Sequence, residues 1–411
     1  MKRRIISAVI AGTIAFSSLF FQGCSSNQSY ETSDLMTNIK AAGHVTVKTD
    51  DTFRSAYDNF SVELLKKCFD GKSNTLISPL SVSTVLTMTA NGADGQTKDE
   101  MLKVLGNGMS LDELNKYLSS FNDSLTSGED FSLKSANSIW FIKDNNFSVR
   151  NEFLQTNAGF YKAEIYKRAY NDEIISDMNK WVSEHTDGMI DKFIEDGSYP
   201  DEITLINAVA FTAVWEKYYF DNFVDSGTFT DADGNAQTVT MLSSQESEYI
   251  SGDNCTGFIK KYKGGKYGFA AILPDSNISV NDLIASLSGK KLSEMLQNTV
   301  TTDVVAKMPK FEYEYSTKLN DALTLLGMPD AFSKNADFSG ISKGKLSLKD
   351  VLHKTKISVT EEGTRAASAT GVVLSASPYG NKQVILDRPF MYMILDTETM
   401  LPLFTGVYTG I

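Results

Sequence analysis

From Phe53 onward the apolar positions keep two different rhythms. Phe53, Tyr57, Phe60, Leu64 and Cys68 recur at helical spacing and predict a first helix. Ser78-Pro79 predicts the start of a second, with Ser as N-cap and Pro in the first turn. Val82, Val85, Leu86 and Thr89 then share one face, and Asn91-Gly92 ends the element. Asp177 to Phe193 reads as a further helix. Later the rhythm changes. Leu205 to Trp215 is almost continuously apolar, which suits a strand buried on both faces. Tyr267–Leu273, Lys307–Tyr313, Val384–Leu386, Phe390–Leu395 and Leu403–Tyr408 also read as strands. Helices crowd the first half and strands the second, so the pattern predicts an α+β fold. No linker, repeat or low-complexity stretch interrupts 52–411, which reads as one domain.

The stretch before it has a different character. Met1-Lys2-Arg3-Arg4 is basic, and Ile5 to Phe21 is apolar with small residues, too short and too rich in Gly and Ser to span a membrane. It reads as a secretory signal. Ending on Gly23-Cys24, residues 1–23 resemble a bacterial lipoprotein signal, which implies acylation of Cys24 as the new N-terminus. Residues 24–51 are polar and predict a flexible tether. The expected location is the extracellular side of a bacterial envelope, with Cys24 as the only membrane attachment.

Composition narrows the partners. The 411 residues are 42% hydrophobic and 22% charged, an ordinary globular balance. The net charge of −12 becomes −15 when Lys2, Arg3 and Arg4 leave with the signal. That argues against nucleic acid, an anionic membrane surface or polyanion activation. The remaining cysteines, Cys68 and Cys255, are too few for a zinc site or a disulfide scaffold, and Cys68 reads as a buried free thiol.

Catalytic motifs fail on context. Gly340-Ile341-Ser342-Lys343-Gly344 matches the nucleophile-elbow pattern, but no strand precedes it and no apolar helix follows. Ser342–Lys345 and Ser288–Lys291 match a penicillin-binding pattern without its companion motifs. Of the histidines, His44 lies in the tether, His185 on a helix among acids, and His353 in the strand-like Leu352-His353-Lys354. Asp231-Ala232-Asp233-Gly234-Asn235 has its Gly misplaced for a calcium loop and reads as a hairpin turn. No metal, cofactor or enzymatic activity is implied.

One segment has an unusual design. In Glu361-Glu362-Gly363-Thr364-Arg365-Ala366-Ala367-Ser368-Ala369-Thr370, every residue after Gly363 except Arg365 is small. As a strand it would place Thr364, Ala366, Ser368 and Thr370 on one uncharged face, continued by Val372, Leu374 and Ala376. Arg365 falls on the other face, with Ala367 and Ala369. Such a segment can enter a sheet with its first face on the core, and a one-residue slip would bury Arg365.

From Phe53 to Ile411 the chain resembles the serpin family. Residues 361–370 resemble the hinge of an inhibitory serpin's reactive loop, and Asp387-Arg388-Pro389-Phe390 the family's C-terminal signature. Residues 74–106, Ser135–Phe141, Asn179–Ile190, Leu205–Trp215 and Pro402–Thr405 match in family order and spacing. The resemblance implies about eight or nine helices, three β-sheets and an exposed reactive loop. It also implies a mechanism. A serine protease cleaves the loop and forms an acyl-enzyme, the freed loop inserts into the central sheet, and the trapped protease is distorted. By position, Ser78, Ser81, Asn207 and His353 correspond to the polar cluster under the sheet that opens. Trp215 corresponds to the family's tryptophan where the loop enters. Thr212 and Ala213 depart from the Lys and Gly common there.

Counting along the loop places the cleaved bond among Ala376, Ser377, Pro378 and Tyr379. Proline after the bond disfavours Ser377-Pro378, leaving Ala376-Ser377, or alternatively Tyr379-Gly380. A small residue before the bond suits an elastase-like protease and Tyr379 a chymotrypsin-like one. No Lys or Arg lies in 372–377 to suit a trypsin-like enzyme. The implied partner is a serine protease, held covalently by a monomeric inhibitor. A non-inhibitory serpin acting as a binding module is the alternative reading.

Overall fold

The structure is a computed structural model that describes residues 32–41, 43, 45–125, 130–143, 146–171, 173–195, 200–364 and 382–410. Cys24, Arg365–Thr370 and the scissile region Ala376–Tyr379 lie outside them.

Folded chain begins earlier than the polar composition suggests. β1 (Ser33–Asp34) comes first, and Leu35, Met36 and Ile39 pack against the core. These few apolar side chains draw part of the expected tether 24–51 onto the domain. α1 (Asp51–Cys68) follows, capped by the Asp50 carboxylate, which accepts from the Phe53 N–H at 3.0 Å. β2 (Thr75–Ile77) leads into α2 (Pro79–Ala90), which starts as predicted with Ser78 as N-cap. The pattern suggested one buried face, but all 12 residues of α2 are buried, as befits a helix that is small or apolar all round.

Next come α3 (Gly95–Gly106), α4 (Leu111–Ser124), β3 (Phe131–Ile142), α5 (Asn151–Tyr161), β4 (Glu164–Arg168) and α6 (Ile174–His185). α6 stops short of the predicted Phe193. Asp187 and Gly188 adopt left-handed backbone, and the Gly188 N–H turns back to the Ser183 carbonyl at 2.8 Å. The second half holds β5 (Glu202–Val214), β6 (Val224–Thr230), β7 (Ala236–Gly252), β8 (Cys255–Lys261), β9 (Tyr267–Pro274), α7 (Val280–Ser286) and α8 (Gly289–Gln297). β10 (Val300–Pro309), β11 (Phe311–Lys318), α9 (Asn320–Leu326), β12 (Leu348–Val359), β13 (Gly363–Thr364), β14 (Lys382–Ile385), β15 (Phe390–Asp396) and β16 (Pro402–Tyr408) complete it. The single strand predicted over Lys307–Tyr313 is two, because the chain crosses between sheets at Lys310.

The first sheet runs β1-β4-β3-β5-β13-β12-β11, with β5 and β12 also paired directly. The second runs β14-β10-β7-β8-β9-β15-β16-β2, with β6 on β7. The 17-residue β7 serves two neighbourhoods: β6 and β10 along most of its length, β8 at its end. Divided at β7, the second sheet gives the remaining two of the three expected sheets.

β5 explains its own apolar run. Leu205, Val209, Phe211 and Ala213 join the main core, while Ile206 and Ala208 face a smaller cluster under α6 that holds Met178, Trp181 and Val182. The strand is covered on both faces, so alternation vanishes.

Candidate functional site

The site forms where β5 and β12 part. These strands are parallel neighbours from Ile203 and Leu348 up to Ala210 and Lys356. Above that they separate, and β13 fills the gap antiparallel to both: Gly363 pairs with Val214, and Thr364 with Ala213 and Val359. A Cβ on Gly363 would lie 2.8 Å from the Val214 Cα and collide with the Ala213 carbonyl oxygen. Only glycine permits that approach. Thr364 is 1% exposed, and its hydroxyl meets the Tyr262 hydroxyl at 2.6 Å. The side chain assigned to the core-facing set in the strand reading therefore does face the core.

Around β13 the turn is gripped from several sides. The Thr360 N–H and hydroxyl both donate to the Gly363 carbonyl, at 2.8 and 2.9 Å. Trp215 donates its backbone N–H to the Glu362 carbonyl and its indole N–H to the Thr360 carbonyl, each at 2.9 Å. The Tyr219 N–H donates to the Glu361 carbonyl at 3.0 Å. Trp215 stacks on Tyr262 with ring centroids 4.4 Å apart and 9° between planes. Lys310 pairs with the Glu361 carboxylate at 2.8 Å on a partly exposed surface.

Lower in the sheet, Asn207 on β5 and His353 on β12 are register partners. His353 Nε2 accepts from the Ser78 N–H at 3.1 Å, so Nδ1 carries the proton and donates to Asn207 Oδ1. Asn207 Nδ2 donates to Ser81 Oγ and to Asn137 Oδ1, both at 2.5 Å. Ser81 Oγ also donates to Asn137 Oδ1 at 2.7 Å and lies 3.0 Å from Ser135 Oγ. Ser78 Oγ donates to the Leu403 carbonyl at 2.8 Å and accepts from the Ser81 N–H. Complete burial pushes the His353 pKa from 6.5 down to about 4, so the ring is neutral. This network fastens β5 to β12 and both to the N-terminus of α2.

The structure thus brings together Ser78, Ser81, Asn207 and His353. Trp215 sits apart at the open end, just past β5 and eight residues on from Asn207, about 26 Å at 3.3 Å per residue. Ser135, Asn137, Tyr262 and Lys310 were not singled out from the sequence. Polar Ser135 and Asn137, alternating on one face of β3, carry the signal that could have found two of them.

The rejected motifs find structural homes. Ser342 lies in a turned segment after Phe338, with neither strand before it nor helix after it. His185 pairs with Glu164 at 2.8 Å and stacks on Trp181. Asp231 accepts the N–H groups of Asp233 and Asn235 in the turn between β6 and β7. Cys255 is a buried free thiol as small apolar residues are, while Cys68 is free and only partly buried. Among the described residues no cluster suits a metal, and no helix is long and apolar enough to cross a membrane.

A family model described as serpin (serine protease inhibitor) matches residues 55–410. The chain belongs to the serpin family. Serpins are inhibitors of proteases rather than enzymes. This serpin is similar to the thermophilic serpin tengpin. Against tengpin's native state it shows a TM-score of 0.88 and 44% identity, covering 93% of this chain and 100% of that one. Against the latent state of tengpin the TM-score is 0.79, at 43% identity over 89% and 100%. A serpin-like protein of Thermococcus kodakarensis is 33% identical, over 86% of this chain and 84% of its own. A leukocyte elastase inhibitor of Xenopus laevis is 30% identical, over 88% and 100%.

Proposed function

We propose that this serpin traps elastase-like serine proteases by cleavage at Ala376-Ser377 and insertion of the freed loop between β5 and β12. The observation that carries the proposal is β13. Two residues of the hinge are already strand where β5 and β12 part, with the Thr364 side chain in the core.

The chemistry follows from the protease. Its serine attacks the Ala376 carbonyl, an ester forms to Ala376, and Ser377 leaves with a new amino terminus. Residues 365 onward are then free to extend β13 downward. The parallel β5–β12 pairing is exchanged for two antiparallel ones, which are individually stronger and more numerous. For this to proceed, the contact between Asn207 and His353 has to break, so Ser78, Ser81, Asn207 and His353 act as the fastener of the closed sheet. Trp215 holds the pivot. The native fold is then a kinetically held state, with the barrier set by that fastener.

The similarity to a leukocyte elastase inhibitor and the small residues at Ala376 and Ser377 support the elastase-like target. Cys24, acylated after loss of residues 1–23, would hold the inhibitor at the outer face of a bacterial envelope. The test is incubation with pancreatic or neutrophil-type elastase, followed by denaturing electrophoresis and sequencing of the released C-terminal peptide. A covalent complex and a peptide starting at Ser377 are expected. A peptide starting at Gly380 would move the target to chymotrypsin-like enzymes. Clean cleavage without complex would overturn the inhibitory reading in favour of a binding module.

A further inference from the structure

Beneath the hinge lies an ion pair that stability does not explain. Lys260 on β8 is 1% exposed and Glu246 on β7 is 9% exposed, and Lys260 Nζ meets Glu246 Oε1 at 3.0 Å. Lysine is almost never this buried without cause. Taking both charges out of water costs more than their attraction returns unless the geometry is excellent, and an apolar pair of similar volume is commonly as stable or more so.

The surroundings supply a reason. Lys260 Nζ lies 4.4 Å from the centroid of the Tyr219 ring and 5.3 Å from that of Trp215. These two residues are the ones whose N–H groups hold the Glu361 and Glu362 carbonyls. Tyr262, two residues after Lys260 and so on the same side of the chain, stacks on Trp215 and reaches the Thr364 hydroxyl. A continuous path therefore runs from Glu246 through Lys260 to both rings of the clamp, and from there to β13. Each link has a fixed direction: Glu246 aims the ammonium, and the ammonium fixes the two ring faces.

We propose that Lys260 and Glu246 are positioning residues for loop insertion, holding Trp215 and Tyr219 so that the turn at 360–363 is a fixed pivot. Every residue that inserts after Thr364 takes its register from that pivot. A slip of one residue would turn Arg365 into the core, so a loose pivot delays insertion and lets the protease deacylate and leave. The role in trapping rests on the inhibitory reading above, while the clamp itself is a property of the uncleaved chain.

The experiment compares wild type with the double variant Lys260→Met/Glu246→Gln, which removes both charges together and leaves no buried ion unpaired. Lys260→Arg serves as the conservative rescue, since it keeps the charge over the rings. Amide hydrogen exchange at Trp215 and Tyr219 is expected to quicken about tenfold in the double variant, the scale of a lost cation–π contact. Its melting temperature should stay at or above that of wild type. The number of inhibitor molecules consumed per protease trapped should rise severalfold, and Lys260→Arg should restore both readouts. Unchanged exchange at Trp215 and Tyr219 would overturn the proposal. So would a rise in inhibitor consumption that merely follows a fall in melting temperature. If wild type traps no serine protease, the inhibitory reading fails instead, and the exchange measurement alone still decides whether the clamp exists.

Discussion

Acidification should weaken the closed sheet through His353. The ring is wholly buried, and its Nε2 accepts from the Ser78 N–H. Protonating Nε2 would set two donors against each other and place a charge in the core. Burial lowers the folded pKa to about 4 against 6.5 for a free imidazole, so the native state excludes a proton that the unfolded chain binds. Stability from this group is therefore complete above about pH 6.5 and is lost as pH falls toward 4. With 1.36 kcal/mol per unit, the full difference is about 3 kcal/mol, of which about 2 kcal/mol is lost by pH 5. Urea unfolding followed by tryptophan fluorescence at neutral pH and near pH 5 measures it, with His353→Gln as the reference that cannot titrate. Wild type should lose about 2 kcal/mol more than the variant. Equal losses would refute the reasoning, because some other group would then carry the acid sensitivity.

Three further outcomes follow from the same geometry. Gly363→Ala should drive β13 out of the gap, since its Cβ would meet Val214 and the Ala213 carbonyl. Faster amide exchange at Trp215 and a lower yield of covalent complex would report it. Asn207→Ala leaves the His353 Nδ1–H only the backbone carbonyl of residue 207, at 3.3 Å, and deprives Ser81 and Asn137 of a donor, a loss of about 1–3 kcal/mol. It should speed conversion to a loop-inserted inactive form on mild heating, read by loss of inhibitory activity over time. Glu361→Gln removes a pair whose side chains are 43% and 30% exposed, so it should cost less than about 1 kcal/mol and change trapping little, as a titration of inhibitor against protease would show.

Local chemistry made several elements readable in advance. Ser78-Pro79 announced the start of α2, and the unbroken apolar run announced β5. The separation of Thr364 from Arg365 by strand face anticipated which side chain β13 would bury. What stayed hidden depends on distant partners. Nothing near Gly363 shows that its neighbour is the Ala213 carbonyl, or that Thr364 would meet Tyr262. Lys260 inside a strand reads as a solvent-facing charge until Glu246 and two aromatic rings are placed around it. Residues 32–50 read as tether because polar residues outnumber Leu35, Met36 and Ile39, yet those three are enough to pack on the domain. Asp187 and Gly188 end α6 although the apolar spacing continues, because backbone conformation overrides periodicity there.

The central claim is that the hinge completes a strand between β5 and β12 faster than a bound protease escapes. Its most direct measurement is denaturing electrophoresis of elastase mixed with wild type and with Thr364→Arg. The Thr364 position is 1% exposed against the Tyr262 hydroxyl, so an arginine there would bury an unpaired charge. Wild type should give a covalent complex that survives denaturation, while the variant should be cut at the same bond and released. A variant that still forms the complex in full yield, or a wild type that is only cut, would contradict the account.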